Sequence, residues 1–164
     1  MQSVVLLLGS NDLDASAKIR RAAELVAQRV GAVVCLSTEY RSEPYGFHAE
    51  QEFVNCAMEV ATQHDAYEVL RIINAIEAEL GRDRMAEAEV KSLTGEQYAS
   101  RPIDIDIIFY GDSTFNDERL TIPYHHLDER LYALRPVAEI AAERRHPALA
   151  TTPRQMLEAL TKND

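Results

Sequence analysis

A chain of 164 residues, 46% hydrophobic and with a net charge of −10, is long enough to bury a core without metal or disulfide staples and fits one domain over 1–164. The acidic balance argues against general nucleic-acid binding, which needs a basic face to neutralise phosphates. No apolar run reaches the roughly 20 residues of a membrane span, and the two cysteines, Cys35 and Cys56, sit in apolar segments that predict buried thiols rather than a disulfide framework.

Ser3 to Leu8 opens the chain as a buried strand. It lacks the basic flank and length of a signal peptide, so a cytoplasmic protein is expected. Gly9-Ser10-Asn11-Asp12 follows as a turn cluster. Ile19, Ala22, Ala23, Val26 and Val30 recur at helical spacing and predict a helix from about Ala15 to Val30, with Asp14 as N-cap and Gly31 as stop. Val33 to Tyr40 predicts a strand, Arg41 to Gln51 a loop around Pro44 and Gly46, and Phe53 to Ala61 a strand antiparallel to the previous one. Val69, Ile73, Ile76 and Leu80 mark one face of a helix from about Ala66 to Leu80, ended by Gly81. Arg82 to Ser100 is polar and without a sustained period; it is expected to be a long structureless segment of the kind that serves as a lid or binding loop.

Ile103 to Tyr110 then predicts an apolar strand broken only by Asp104 and Asp106. Asp112 to Leu127 is turn-rich, with Pro123 in a loop. Pro136 to Ala142 predicts a short helix and Pro153 to Leu160 a C-terminal one with proline in its first turn. The order β-α-β-β-α-β plus a C-terminal extension predicts an α+β, ferredoxin-like sheet with helices on one face.

The chemistry concentrates on Arg101-Pro102-Ile103-Asp104-Ile105-Asp106. Residues i and i+2 of a strand share a face, so Asp104 and Asp106 are neighbours. Two like charges repel, and burial beside isoleucines makes ionisation costlier. A hard divalent cation such as magnesium would compensate. The spacing alone also admits a strand end with two solvated aspartates paired to arginines. Arg82, Arg84, Arg101, Arg119 and Arg130 flank that strand in an otherwise acidic protein, and arginine grips phosphate with a planar fork. Neither a P-loop nor a Rossmann glycine motif is present, so a bound nucleotide would be held by side-chain cations and metal. Asn55, inside a strand, needs hydrogen-bond partners that a flat polar ligand would supply. Glu77 reads as a solvated helix carboxylate.

These residues fall in the pattern of a known family. Leu8-Gly9-Ser10-Asn11, Tyr40-Arg41-Ser42-Glu43-Pro44 with Gly46, Phe53-Val54-Asn55, Glu77 with Gly81-Arg82-Asp83-Arg84, Ser100 to Asp106, and Arg119-Leu120-Thr121-Ile122-Pro123 occur in order. Along nearly its whole length the chain resembles the 6-hydroxymethyl-7,8-dihydropterin pyrophosphokinases of the folate pathway. The resemblance implies an enzyme that moves diphosphate from ATP to a hydroxymethyl-pterin, with two magnesium ions and small-molecule substrates only, as a monomer. It implies that Asp104 and Asp106 bind both metals, and that Arg82, Arg84 and Arg101 clamp the triphosphate. Arg119, Thr121 and Arg130 would be further nucleotide contacts. Asn55 would read the pterin edge, Ser42, Pro44 and Tyr45 would line its pocket, and Phe53 and Tyr132 would sandwich its ring. Tyr124 stands where the family usually carries a histidine, so that nucleotide contact is either supplied by His125 in a shifted register or lost. A ferredoxin-like metabolite-binding module without catalysis shares the strand order, but it has no need of two strand carboxylates facing arginines.

Overall fold

The computed structural model describes residues 1–42, 52–94 and 101–162. In chain order these form β1 (Gln2–Ser10), α1 (Ala15–Arg29), β2 (Ala32–Leu36), β3 (Tyr40–Ser42), β4 (Phe53–Thr62), α2 (Ala66–Glu79), α3 (Arg84–Thr94), β5 (Asp104–Tyr110), β6 (Phe115–Asn116), β7 (Thr121–Ile122), α4 (Leu131–Ala141) and α5 (Pro153–Thr161), with a single 3-10 turn at Leu127–Glu129. The main sheet runs β2-β4-β1-β5, with β3 also paired to β4, and β6 and β7 form a separate ribbon. β1 is antiparallel to both neighbours, and β2 is antiparallel to β4. Each parallel pair, β1 with β2 and β4 with β5, is therefore split by an intervening strand, which is the expected ferredoxin-like order.

Alternation along the strands separates two faces. Val4, Leu6, Leu8, Val54, Cys56, Met58, Ile105 and Ile107 join Ile19, Leu25, Val26, Ile73 and Ile76 of α1 and α2 in one core. Val5, Leu7, Ala57, Ile108 and Phe109 pack on the other face against Leu134 and Val137 of α4 and Met156 of α5. The C-terminal extension is thus a second covering layer. A bulge in the β1–β5 register, between Val5 and Leu6, lets Ile108 and Phe109 reach the same face.

Several boundaries differ from the sequence-based expectation. The strand expected over Val33 to Tyr40 is broken. Ser37 bonds Ala57 twice, through its N–H and its Oγ, at 2.8 Å each. Thr38 then turns its N–H and Oγ to Glu139 of α4 before pairing resumes at Tyr40. Cys56 is buried but Cys35 is half-exposed on the edge strand. Gly9 and Ser10 belong to β1 rather than to the turn. Asp14 sits at the N-cap of α1 without a side-chain capping bond. The segment after Arg82 is not structureless: it contains α3, started by Asp83, whose Oδ1 accepts the N–H groups of Met85 and Ala86 at 3.0 Å each. The helix expected from Pro136 begins at Leu131 and carries Pro136 inside it. Gly81 ends α2 at φ 103°, a conformation glycine alone adopts freely. No helix of the described residues is long and apolar enough to cross a membrane.

Candidate active site

α4 and α5 leave one end of the second face open. There the sheet register builds two rows. Asn55, Gly9 and Asp104 lie side by side across β4, β1 and β5, and Ala57, Leu7 and Asp106 lie in the next row. Asp104 and Asp106 share a face, as the i, i+2 spacing predicts. Ser42 pairs with Phe53 on the same side. A cleft of about 310 Å³ opens over these rows, lined by Ser42, Phe53, Asn55, Arg82, Arg84, Arg101, Asp104, Asp106, Arg130 and Tyr132, together with Leu7, Gly9 and Tyr124. Pro44 and Tyr45 lie outside the described residues.

A second cleft, of about 420 Å³, adjoins the first. It takes in Arg119, Thr121 and His125, with Leu70, Ile73, Asn74, Ile105, Ile107 and Leu120 supplying its apolar wall and one amide. Arg84, Asp106, Tyr124 and Arg130 line both clefts. The ribbon that carries Arg119 and Thr121 is anchored to α2. Asp117 accepts the Tyr67 hydroxyl and the N–H groups of Arg119 and Leu120, and the Arg119 guanidinium lies 5.0 Å from the centre of the Tyr67 ring. The chain then returns to β5, where the Tyr124 N–H donates to the Ile108 carbonyl at 3.0 Å. That bond brings Tyr124 over the carboxylate strand.

Under the clefts lies a buried ionic cluster. Glu77, expected to be solvated, is 1% exposed. It accepts from Arg82 Nη1 at 2.7 Å, Arg84 Nη2 at 2.7 Å and the Ile105 N–H at 2.8 Å. Its correction has a simple cause: α2 packs directly under β5, so the Glu77 side of the helix meets the strand backbone and Arg82 instead of water. Arg82 is 8% exposed and bridges Glu77, Asp104 at 2.7 Å and Glu87 at 3.1 Å. Burial alone would lower its pKa, but Asp104 and Glu77 raise it well above the ordinary value, so the charge is fixed. Burial first, and then Asp104 and Glu77, push the Asp106 carboxyl up to about 8, against the opposing pull of Arg82 and Arg101.

On β4, at the edge of the first cleft, a buried polar group is left incompletely paired. Asn55 is 3% exposed, and its side-chain N–H₂ has no partner among the described residues. An orphaned buried donor beside a cleft costs stability unless a ligand accepts from it. Arg130 Nη1 donates to the hydroxyls of Tyr132 at 2.8 Å and Tyr124 at 3.0 Å. Burial and then the Tyr132 hydroxyl raise the Tyr124 phenol, which stays protonated.

Sequence reasoning passed over Tyr124, which it treated as a departure, and the wall of the second cleft. Leu70, Ile73 and Asn74 occupy one flank of α2, and the signal available was an amide among the apolar residues of that flank.

The family model for 7,8-dihydro-6-hydroxymethylpterin-pyrophosphokinase matches residues 5–142. A 2-amino-4-hydroxy-6-hydroxymethyldihydropteridine pyrophosphokinase of Methylorubrum extorquens is 34% identical over 165 residues, covering all of this chain and 95% of that protein. The Bacillus subtilis protein of the same name is 32% identical over 139 residues, 84% of this chain and 77% of its own length. Among solved structures, wild-type Plasmodium falciparum HPPK-DHPS matches with a TM-score of 0.75 at 17% identity, covering 99% of this chain and 45% of that longer one, a likeness of fold. By its sequence, the chain belongs to the 7,8-dihydro-6-hydroxymethylpterin-pyrophosphokinase family.

Proposed function

We propose that the chain transfers diphosphate from ATP to the hydroxymethyl group of 6-hydroxymethyl-7,8-dihydropterin, releasing AMP, a step of tetrahydrofolate synthesis. Beyond family membership, one observation carries this reading: two dissimilar clefts meet at a single carboxylate, Asp106. The first suits a flat heterocycle, with the Asn55 amide, unpartnered among the described residues, for its edge and Phe53 and Tyr132 for its faces. The second suits a nucleotide, with apolar side chains, Asn74 and Thr121 for the base and Arg84, Arg119 and Arg130 for the phosphates. A hydroxymethyl group from one cleft and the β-phosphorus from the other would meet beside Asp106.

Asp104 and Asp106 fit magnesium. Their repulsion and burial, expressed in an Asp106 carboxyl pushed up to about 8, are relieved by a divalent cation. Two carboxylates supply only part of a magnesium ion's coordination, and phosphate oxygens and water complete the set that magnesium favours. Two magnesium ions held there would neutralise the phosphates and make the attacking hydroxyl more acidic. The remaining work falls to the chain. Arg82 holds Asp104 rigidly through their 2.7 Å contact. Arg84 and Arg101, at the cleft margin, offset charge on the departing AMP. Arg130 keeps the Tyr132 ring in place through its hydroxyl. We read the protein as a monomeric cytoplasmic enzyme of one domain, 1–164, acting on small molecules.

Incubation with ATP, magnesium and hydroxymethyl-dihydropterin tests this. AMP and the pterin diphosphate are expected in equal amounts. ADP as the nucleotide product, or binding of both substrates without turnover, overturns it; the latter result describes a metabolite-binding module.

A further inference from the structure

The run Leu8-Gly9-Ser10-Asn11 at the end of β1 has no chemical task in the scheme above, although its surroundings are specific. Gly9 lies between Asn55 and Asp104 in the sheet register. A Cβ at Gly9 would stand 2.6 Å from the Asn55 side-chain oxygen, so the Asn55 carboxamide occupies the space that any other side chain would take. Two residues on, Asn11 is 1% exposed. Its N–H donates to the Arg101 carbonyl at 3.2 Å, and its side-chain oxygen accepts the Arg101 N–H at 2.5 Å. These two bonds form a rung beyond the end of the sheet and fix the backbone of Arg101 three residues before Asp104. Ser10, fully buried, closes the turn between them: its Oγ accepts the Asp12 N–H at 3.1 Å. The Arg101 side chain lines the first cleft and lies 3.7 Å from Asp104.

We propose that Gly9 and Asn11 are positioning residues for different substrates: Gly9 sets the Asn55 carboxamide for the pterin, and Asn11 sets Arg101 for the phosphates. The inference rests on the roles given above to Asn55 and Arg101. A methyl group at position 9 meets the far end of a side chain, the Asn55 carboxamide, rather than backbone at that distance. The sheet therefore keeps its register while the pterin-reading group turns away. Removal of the Asn11 side chain acts on the other substrate. It releases the backbone N–H of Arg101 from its fixed acceptor, and a long guanidinium on an untethered backbone no longer meets the developing charge in one place. Two positions two residues apart, one at the end of β1 and one just past it, thus have opposite kinetic signatures, which a merely structural role would not produce.

Kinetics of Gly9→Ala, Asn11→Ala, Arg101→Ala and the Asn11→Ala/Arg101→Ala double variant test this, with pterin binding titrated separately in a non-hydrolysable ATP analogue and magnesium. Gly9→Ala is expected to weaken pterin binding about tenfold or more, with the single-turnover rate at saturating pterin kept within roughly threefold. Asn11→Ala is expected to slow the single-turnover rate about 10- to 100-fold with pterin binding kept within roughly threefold. It should add nothing once Arg101 is alanine, because it acts through that residue. Asn11→Ser, too short to reach the Arg101 N–H, carries the same expectation if the alanine variant does not fold. The inference fails if either variant moves binding and rate together, if the double variant is slower than Arg101→Ala, or if Asn11→Ala keeps the wild-type rate while Arg101→Ala loses it. An Arg101→Ala enzyme with an undiminished rate instead overturns the role given to Arg101, and the Asn11 half of the inference with it.

Discussion

Asn55 and Glu77 bury polar groups in opposite ways, and the difference decides what each substitution does. The Asn55 amide is left without a partner among the described residues, so the free protein bears its desolvation cost and the ligand recovers it. Asn55→Ala is therefore expected to weaken pterin binding about tenfold or more without lowering the thermal midpoint, measured by titration and by scanning calorimetry. Glu77 is saturated by Arg82, Arg84 and the Ile105 N–H. Glu77→Ala removes one of the three carboxylates that balance the buried Arg82 and leaves the Ile105 N–H without its acceptor, and denaturant unfolding should show a loss of about 2–4 kcal/mol. The two residues were unequally legible. An asparagine inside a strand is anomalous on sight, whereas a glutamate on a helix looks ordinary until the helix is docked and its partner appears from five residues downstream.

Among the elements, α1, α2, β4 and β5 could be placed from the sequence because each buries a regular apolar face, and burial is what periodicity records. α3 could not, for the complementary reason: Met85 and Leu93 are exposed. Its signal lay in propensity instead, since Met85-Ala86-Glu87-Ala88-Glu89 are strong helix formers behind an aspartate cap. A helix so lightly tied depends on that cap. Asp83→Ala is expected to cost about 1 kcal/mol of local stability, seen as faster amide exchange in the described part of α3 while the global midpoint stays unchanged. The break at Ser37 was also hidden, because it depends on Glu139, which receives the Thr38 N–H, the Thr38 hydroxyl and the Tyr40 hydroxyl from across the fold.

For the whole molecule, the sheet is a partition with a core on each side, and the site exists where the second core stops short. The C-terminal layer is held by Arg144, which bonds Ser3 Oγ at 2.7 Å and the Gly111 carbonyl at 3.0 Å and stacks 5.2 Å from the Phe109 ring. His146 fastens the same layer: its Nδ1 accepts the N–H groups of Ala148 and Leu149 at 3.1 and 3.0 Å. Burial holds the imidazole below its ordinary pKa of 6.5, and protonation of Nδ1 would break both bonds. With a depressed folded pKa, the full stability is present above pH 6.5 and falls as pH drops below it, where the unfolded chain takes up the proton first. His146→Gln should flatten that dependence below pH 6.5, measured by urea unfolding across pH.

The central claim is that the Asp104–Asp106 pair serves diphosphate transfer at the junction of the two clefts. Asp104 also balances Arg82, so Asp106 is the cleaner residue to change. Single-turnover transfer of label from β-phosphate-labelled ATP to hydroxymethyl-dihydropterin should be readily seen with the native chain. In a folded Asp106→Asn variant it should fall at least about a hundredfold. Transfer by that variant within a few-fold of the native rate, or label that leaves ATP without reaching the pterin in the native protein, would contradict the account.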